Sequence, residues 1–112
     1  MFYEPDKRNH GLPHNPFKAL VVPRPIGWIS AIDHSGRINL APYSFFNLVA
    51  SDPPCVMFAA SSRLDGTLKD SQDFAEKGGE FVVNIASFDQ REELIATSYP
   101  YAPGQNEFIE TG

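Results

Sequence analysis

Ile26-Gly-Trp-Ile-Ser-Ala-Ile-Asp33, followed by His34-Ser-Gly-Arg37 and Ile38-Asn-Leu-Ala41, decides the fold. The first run is rich in β-branched and aromatic residues, which suit a pleated, half-buried surface. The four residues after it read as a hairpin turn, with Gly36 supplying the left-handed position. Ile38 to Ala41 begins the return strand, so the sheet is antiparallel. Pro42 has no N–H to donate and predicts a bulge or bend there.

Further strands follow in the same manner. Tyr43 to Ser51 reads as a loop passing into a strand, and Asp52-Pro53-Pro54 is a strong turn signal. Cys55-Val-Met-Phe-Ala-Ala60 is continuously apolar and predicts a strand buried on both faces. Within it, the single cysteine, Cys55, reads as a small buried hydrophobe with no cationic neighbour to activate it. A short helix is expected over Ser71 to Lys77, capped by Asp70 or Ser71 and ended by Gly78-Gly79. Glu80 to Ala86 predicts another strand. Asp89-Gln-Arg-Glu92 has the form of a capping box for a second helix, Gln90 to Thr97.

Towards the N-terminus the chain is polar and rich in turn formers, so residues 1–15 read as an irregular arm. Asn15-Pro16 can open a short helix through Leu20. The tail from Tyr99 to Gly104 reads as irregular. One domain over residues 1–112, mainly β with short inserted helices, accounts for the pattern.

Composition excludes several functions. The formal charge is −5 and no basic stripe is present, which argues against nucleic acid as a partner. No segment approaches the ~20 apolar residues needed to cross a bilayer, and no signal peptide is legible, so no membrane role and a cytoplasmic location are expected. His10, His14 and His34 lack metal-ligand spacing, so no metal site is expected. No nucleophile elbow, Walker loop or dinucleotide fingerprint is present.

Three polar clusters interrupt the strands: Arg24 to Ser30, Ala41 to Asn47 and Ser61 to Ser71. Singly they read as a turn, a bulge and a capped loop. Together they combine aromatic rings and placed donors with Ser61, Ser62, Arg63, Lys69 and Ser71 near a helix start. Flat apolar surface with a few polar groups suits a planar heterocycle. A helix N-terminus beside a lysine suits a phosphate.

The strings Arg24-Pro-Ile-Gly-Trp-Ile-Ser30, Leu40-Ala-Pro-Tyr-Ser-Phe-Phe-Asn47, Ser51-Asp-Pro-Pro54, Lys69-Asp-Ser71 and Gly79-Glu-Phe-Val-Val-Asn84 occur in this order. In that order they resemble the flavin-reductase-like family of FMN-binding split barrels, over about Asn15 to Ser98. The resemblance implies a Greek-key split β-barrel that forms a homodimer with FMN near the interface. It implies that Trp28, Ile29 and Ser30 lie along the flavin and that Tyr43, Ser44 and Asn47 meet the ring and ribityl chain. Ser61, Ser62, Lys69 and Ser71 would hold the phosphate end, with Ser71 where the family more often has threonine. Family members usually run longer than this chain. The expectation is therefore that the text holds the N-terminal portion of the barrel, or a short form completed by a partner.

The function so implied is a flavoprotein oxidoreductase, an NAD(P)H-dependent flavin reductase passing electrons through FMN. NADH or NADPH would be the donor, and no catalytic side chain is required, because the cofactor carries the chemistry. The alternatives are an FMN-binding electron carrier or redox sensor without nicotinamide turnover, and a plain β-barrel interaction domain.

Overall fold

The structure, a computed structural model, describes residues 3–7, 9–63, 65–102 and 105–112. The irregular-arm reading at positions 1, 2 and 8, the tail reading at 103 and 104, and position 64 of the third polar cluster lie outside the described residues.

Among the described residues, five strands form two antiparallel sheets. β1 (Gly27–Ile32) lies between β2 (Ile38–Tyr43) and β5 (Val82–Asn84), and β3 (Phe46–Ser51) pairs with β4 (Pro54–Phe58). Three helices follow the hairpins: α1 (Asp70–Gly78), α2 (Arg91–Ala96) and α3 (Glu107–Glu110). The expected short helix after Pro16 is a 3-10 turn, Phe17–Ala19. α3 falls beyond the residues that the helix signals covered.

The β1–β2 hairpin forms where its side chains predict. Gly36 takes φ +83°, and the Asp33 carboxylate ties the turn. Its Oδ1 accepts the N–H groups of Ser35 and Arg37, each at 2.9 Å. Alternation along β1 then sorts its residues. Ile29 and Ala31 are buried, whereas Trp28 and Ser30 are half-buried on the opposite face. α1 covers the Ile29 face, with Ser71 and Phe74 as its buried residues. Ile29, Ala31, Leu40, Tyr43 and Phe74 make the core.

Pro42 does not interrupt the ladder: the β1–β2 register runs unbroken, with Trp28 opposite Pro42. β2 is an edge strand, and the N–H of Leu40 points outward, to Glu107 rather than to β1. Two residues on, the missing N–H of Pro42 falls on the same outer side, where no ladder bond is lost. The irregularity lies instead in β3, where the register shifts between Leu48 and Ala50.

Three further expectations need correction. β4 is not buried on both faces: Cys55, Val56 and Met57 are exposed, because no described layer covers the β3–β4 pair. The cap of α1 is neither Asp70 nor Ser71 but Lys69, which makes no side-chain cap bond. The helix begins one residue early and leaves its first amides free. The capping box before α2 is Ser87 with Gln90, two residues upstream of the expected pair. Gln90 Oε1 accepts the Ser87 N–H at 3.0 Å and opens a 3-10 turn that leads into α2.

Candidate functional site

The outer edge of β2 and the start of α1 meet at a cleft of about 430 Å³. Tyr43 comes from the end of β2, Arg63 from the loop after β4, Lys69 from the N-cap of α1 and Thr97 from the end of α2; Tyr99 and Tyr101 close the far side. The Lys69 ammonium stands 5.7 Å from the centre of the Tyr43 ring. The Arg63 guanidinium pairs with Asp70 at 2.9 Å, and also reaches the Leu68 carbonyl. Cations and uncapped helix amides therefore converge beside an aromatic ring.

Along this wall runs a buried polar chain, with Asn39 and Glu107 lining the cleft. Ser71, only 1% exposed, donates its hydroxyl to Asn39 Oδ1. Asn39 Nδ2 donates to Glu107 Oε1 at 2.7 Å, and Glu107 Oε2 accepts the Leu40 N–H at 3.1 Å. Each buried polar group thus has a partner, which its desolvation requires. Burial raises the pKa of Tyr43 above the ordinary phenol value, with a smaller opposing effect from Ser71.

Of the sequence-derived residues, Tyr43 and Lys69 meet in this cleft. Ser71 stands behind it with its hydroxyl turned inward. Ser61 and Ser62 are exposed in the loop that carries Arg63. Ser44 accepts from Arg24 Nε at 3.2 Å, tying the Arg24-Pro turn to the β2–β3 corner. Asn47 is exposed on β3, and its Oδ1 accepts the N–H of Leu48 at 2.9 Å. Ile29 is fully buried, and its backbone sits between two ladder partners, Ala41 and Val83.

Trp28 lines a second cleft of about 680 Å³, with Asn84, Gln90 and Glu93. Its indole N–H donates to Thr97 Oγ1 at 2.8 Å, and Thr97 passes its own proton to the Leu94 carbonyl at 2.9 Å. Thr97 also lines the first cleft, so this hydrogen bond links the linings of the two clefts. Ser30 lies on the same face of β1 as Trp28 and receives Asn84 Nδ2 at 3.3 Å.

The site residues that sequence reasoning missed are Asn39, Thr97 and Glu107. Asn39 sits in the hairpin signal and had no mark of its own. Glu107 lies 68 positions from its partner Asn39, and no local pattern announces such a contact. Arg63, from the third polar cluster, lines the cleft.

A family model described as flavin reductase like domain matches residues 19–112. An uncharacterised protein of Aquifex aeolicus is 46% identical over 93 residues, covering 83% of this chain and 47% of its own length. Among solved structures, nitrilotriacetate monooxygenase component B from Bacillus cereus superposes with a TM-score of 0.84 at 28% identity. It covers 99% of this chain, which matches 55% of that one. A Shewanella frigidimarina structure assigned as a flavin reductase with split barrel domain has a TM-score of 0.73 at 17% identity, over 98% of this chain and 55% of its own, a likeness of fold. The chain spans about half the length of these relatives.

Proposed function

Because this chain belongs to the flavin reductase like domain family, whose model matches residues 19–112, we propose that it binds FMN and transfers electrons through it from NADH or NADPH. The observation that carries this reading is the convergence of Lys69, Arg63 and the uncapped first turn of α1 on the wall that holds Tyr43. That donor set fits a phosphate, since free helix N–H groups and the Lys69 ammonium favour an anion, with Arg63 held beside them by Asp70. The half-buried indole of Trp28, hydrogen-bonded to Thr97 of that cleft, offers flat apolar surface to a ring.

Bound FMN would supply the redox chemistry. The chain's own residues bind and orient. Lys69 and Arg63 hold the charged end, and we assign Ser61 and Ser62, which precede Arg63 on the same loop, to that end as well. Ser44 and Asn47 extend the polar rim on the β2–β3 side, and Trp28 and Ser30 line the other face of β1. Ile29 supports that strand from the core, and Ser71 supports the wall from behind. The exposed apolar side chains of β3 and β4 favour a homodimer as the working unit.

Replacing Lys69 with alanine removes a full charge from the phosphate end only. FMN affinity should fall about tenfold, the worth of one charge-assisted contact, while riboflavin affinity stays within about twofold. Fluorescence titration with both ligands reads the difference, and equal losses would refute the phosphate assignment. Anaerobic mixing of the flavin-loaded protein with NADH or NADPH decides between reductase and carrier: bleaching at turnover rates marks the reductase.

A further inference from the structure

Trp28 carries the only indole of the chain, and both its backbone and its ring are held. Its carbonyl accepts Asn84 Nδ2 at 3.0 Å across the β1–β5 pair. Its indole N–H donates to Thr97 Oγ1 at 2.8 Å, a contact between residues 69 positions apart. Chemistry fixes the direction of that contact, since an indole nitrogen can only donate. Thr97 has one hydroxyl proton, and it goes to the Leu94 carbonyl at 2.9 Å. Thr97 is only 2% exposed, and its backbone N–H bonds the Glu93 carbonyl at 3.0 Å. Its hydroxyl is therefore anchored to the last turn of α2, with a lone pair turned to the indole.

We propose that Thr97 is a positioning residue for the Trp28 ring: it holds the indole by its N–H edge, so that the ring lines the larger cleft as an apolar surface with no free donor. The inference rests on reading Trp28 as the ring surface of the flavin site. It adds a statement about the ligand. The one polar atom of the indole is already used, so Trp28 contributes flat contact and no hydrogen bond, and the polar edge of a bound ring must be met by other groups. It also gives α2 a part in the site, since the residue that closes this short helix is the one that orients the ring.

Thr97→Val keeps the shape of the side chain and removes the acceptor. The indole N–H then loses its partner, and the ring loses the contact that selects its orientation. Thr97→Ser keeps the hydroxyl and should keep the tie.

The test uses the full chain as wild type, T97V, T97S, W28F and the T97V/W28F double variant. With one tryptophan, the indole N–H gives a single NMR signal, whose exchange with solvent is read without a ligand. In the wild type this proton should exchange at least about tenfold more slowly than in free tryptophan, and T97V should abolish about tenfold of protection, as one hydrogen bond is worth. T97S should stay within about threefold of the wild type. Exchange at the free rate in the wild type, or unchanged exchange in T97V, overturns the proposal. Titration supplies the second readout. T97V should weaken FMN and riboflavin alike, by about three- to tenfold, because the ring and not the phosphate is affected. In the W28F background the same valine should change neither affinity by more than about twofold, since no indole N–H is left to hold. An equal loss with and without the indole means that Thr97 acts on the cleft by itself, and overturns the proposal. If neither flavin binds the wild type, the functional reading fails, and proton exchange alone decides whether Thr97 holds the ring.

Discussion

Neighbouring residues of β1 have opposite fates because successive side chains of a strand point to opposite faces. Trp28 and Ser30 remain accessible for a ligand, whereas Ile29 between them is sealed in the core. Ile29→Ala should therefore cost about 2–5 kcal/mol of stability, as in other large-to-small core changes, read as a lower urea midpoint. A loss of flavin affinity without loss of stability would instead place Ile29 against the ligand. Asp33 makes a second prediction. Burial works to raise its pKa, but hydrogen bonds from the side chains and backbone of Ser35 and Arg37 outweigh that and hold it well below the usual carboxylate range. Its folded value lies below its unfolded value of 3.8. The stability it contributes is thus present above about pH 4 and lost as the pH falls from there. Asp33→Asn should lower the melting temperature at pH 7 and flatten its fall between pH 4 and pH 2, measured by circular dichroism.

At the scale of elements, α1 shows how a terminus can serve two ends. Its N-terminus lacks a side-chain cap and faces the cleft, which leaves amides for a ligand. Its C-terminus is closed by Gly79 at φ +78°, whose N–H bonds the Ala75 carbonyl. Gly78, the last helical residue, has a different reason to be glycine: a Cβ there would lie 2.4 Å from the Ile32 carbonyl oxygen. Helix propensity alone favours alanine by about 0.5–1 kcal/mol, but the obstacle is backbone of the buried sheet. Gly78→Ala should consequently destabilise the chain by about 1–3 kcal/mol, which chemical denaturation reads directly; a more stable variant would show that α1 slides freely on β1. β2 is organised by its open edge. Glu107 satisfies the Leu40 N–H and Pro42 has none to satisfy, so the edge carries few free donors for stray pairing.

The whole molecule is open. Its radius of gyration is 16.0 Å, against about 13 Å for a compact domain of this length. The two sheets do not close on each other among the described residues, and the β3–β4 pair carries Leu48 at 64% and Val49 at 60% exposure. Apolar surface of this kind marks an interface. Sedimentation should show concentration-dependent self-association of the chain. Leu48→Glu combined with Val56→Lys places an ion pair across β3 and β4, where these residues are directly opposed. The hairpin is kept by that pair, and the association should weaken at least tenfold. Unchanged association would move the interface elsewhere.

The sequence by itself determined the local elements: the β1–β2 hairpin with Gly36 at its turn, the five strands and the glycine stop of α1. Those features depend on side-chain periodicity and turn chemistry, which act over a few residues. The tertiary structure alone decided which face of β1 is sealed, that Pro42 sits harmlessly on an open edge, that Cys55 is exposed, and that Ser71 turns inward. Each of these depends on what lies across the sheet or along its edge. Glu107 is the clearest case: its role arises from Asn39 and Leu40, residues far away in the chain, and a buried carboxylate is defined by the donors that surround it rather than by its neighbours in sequence.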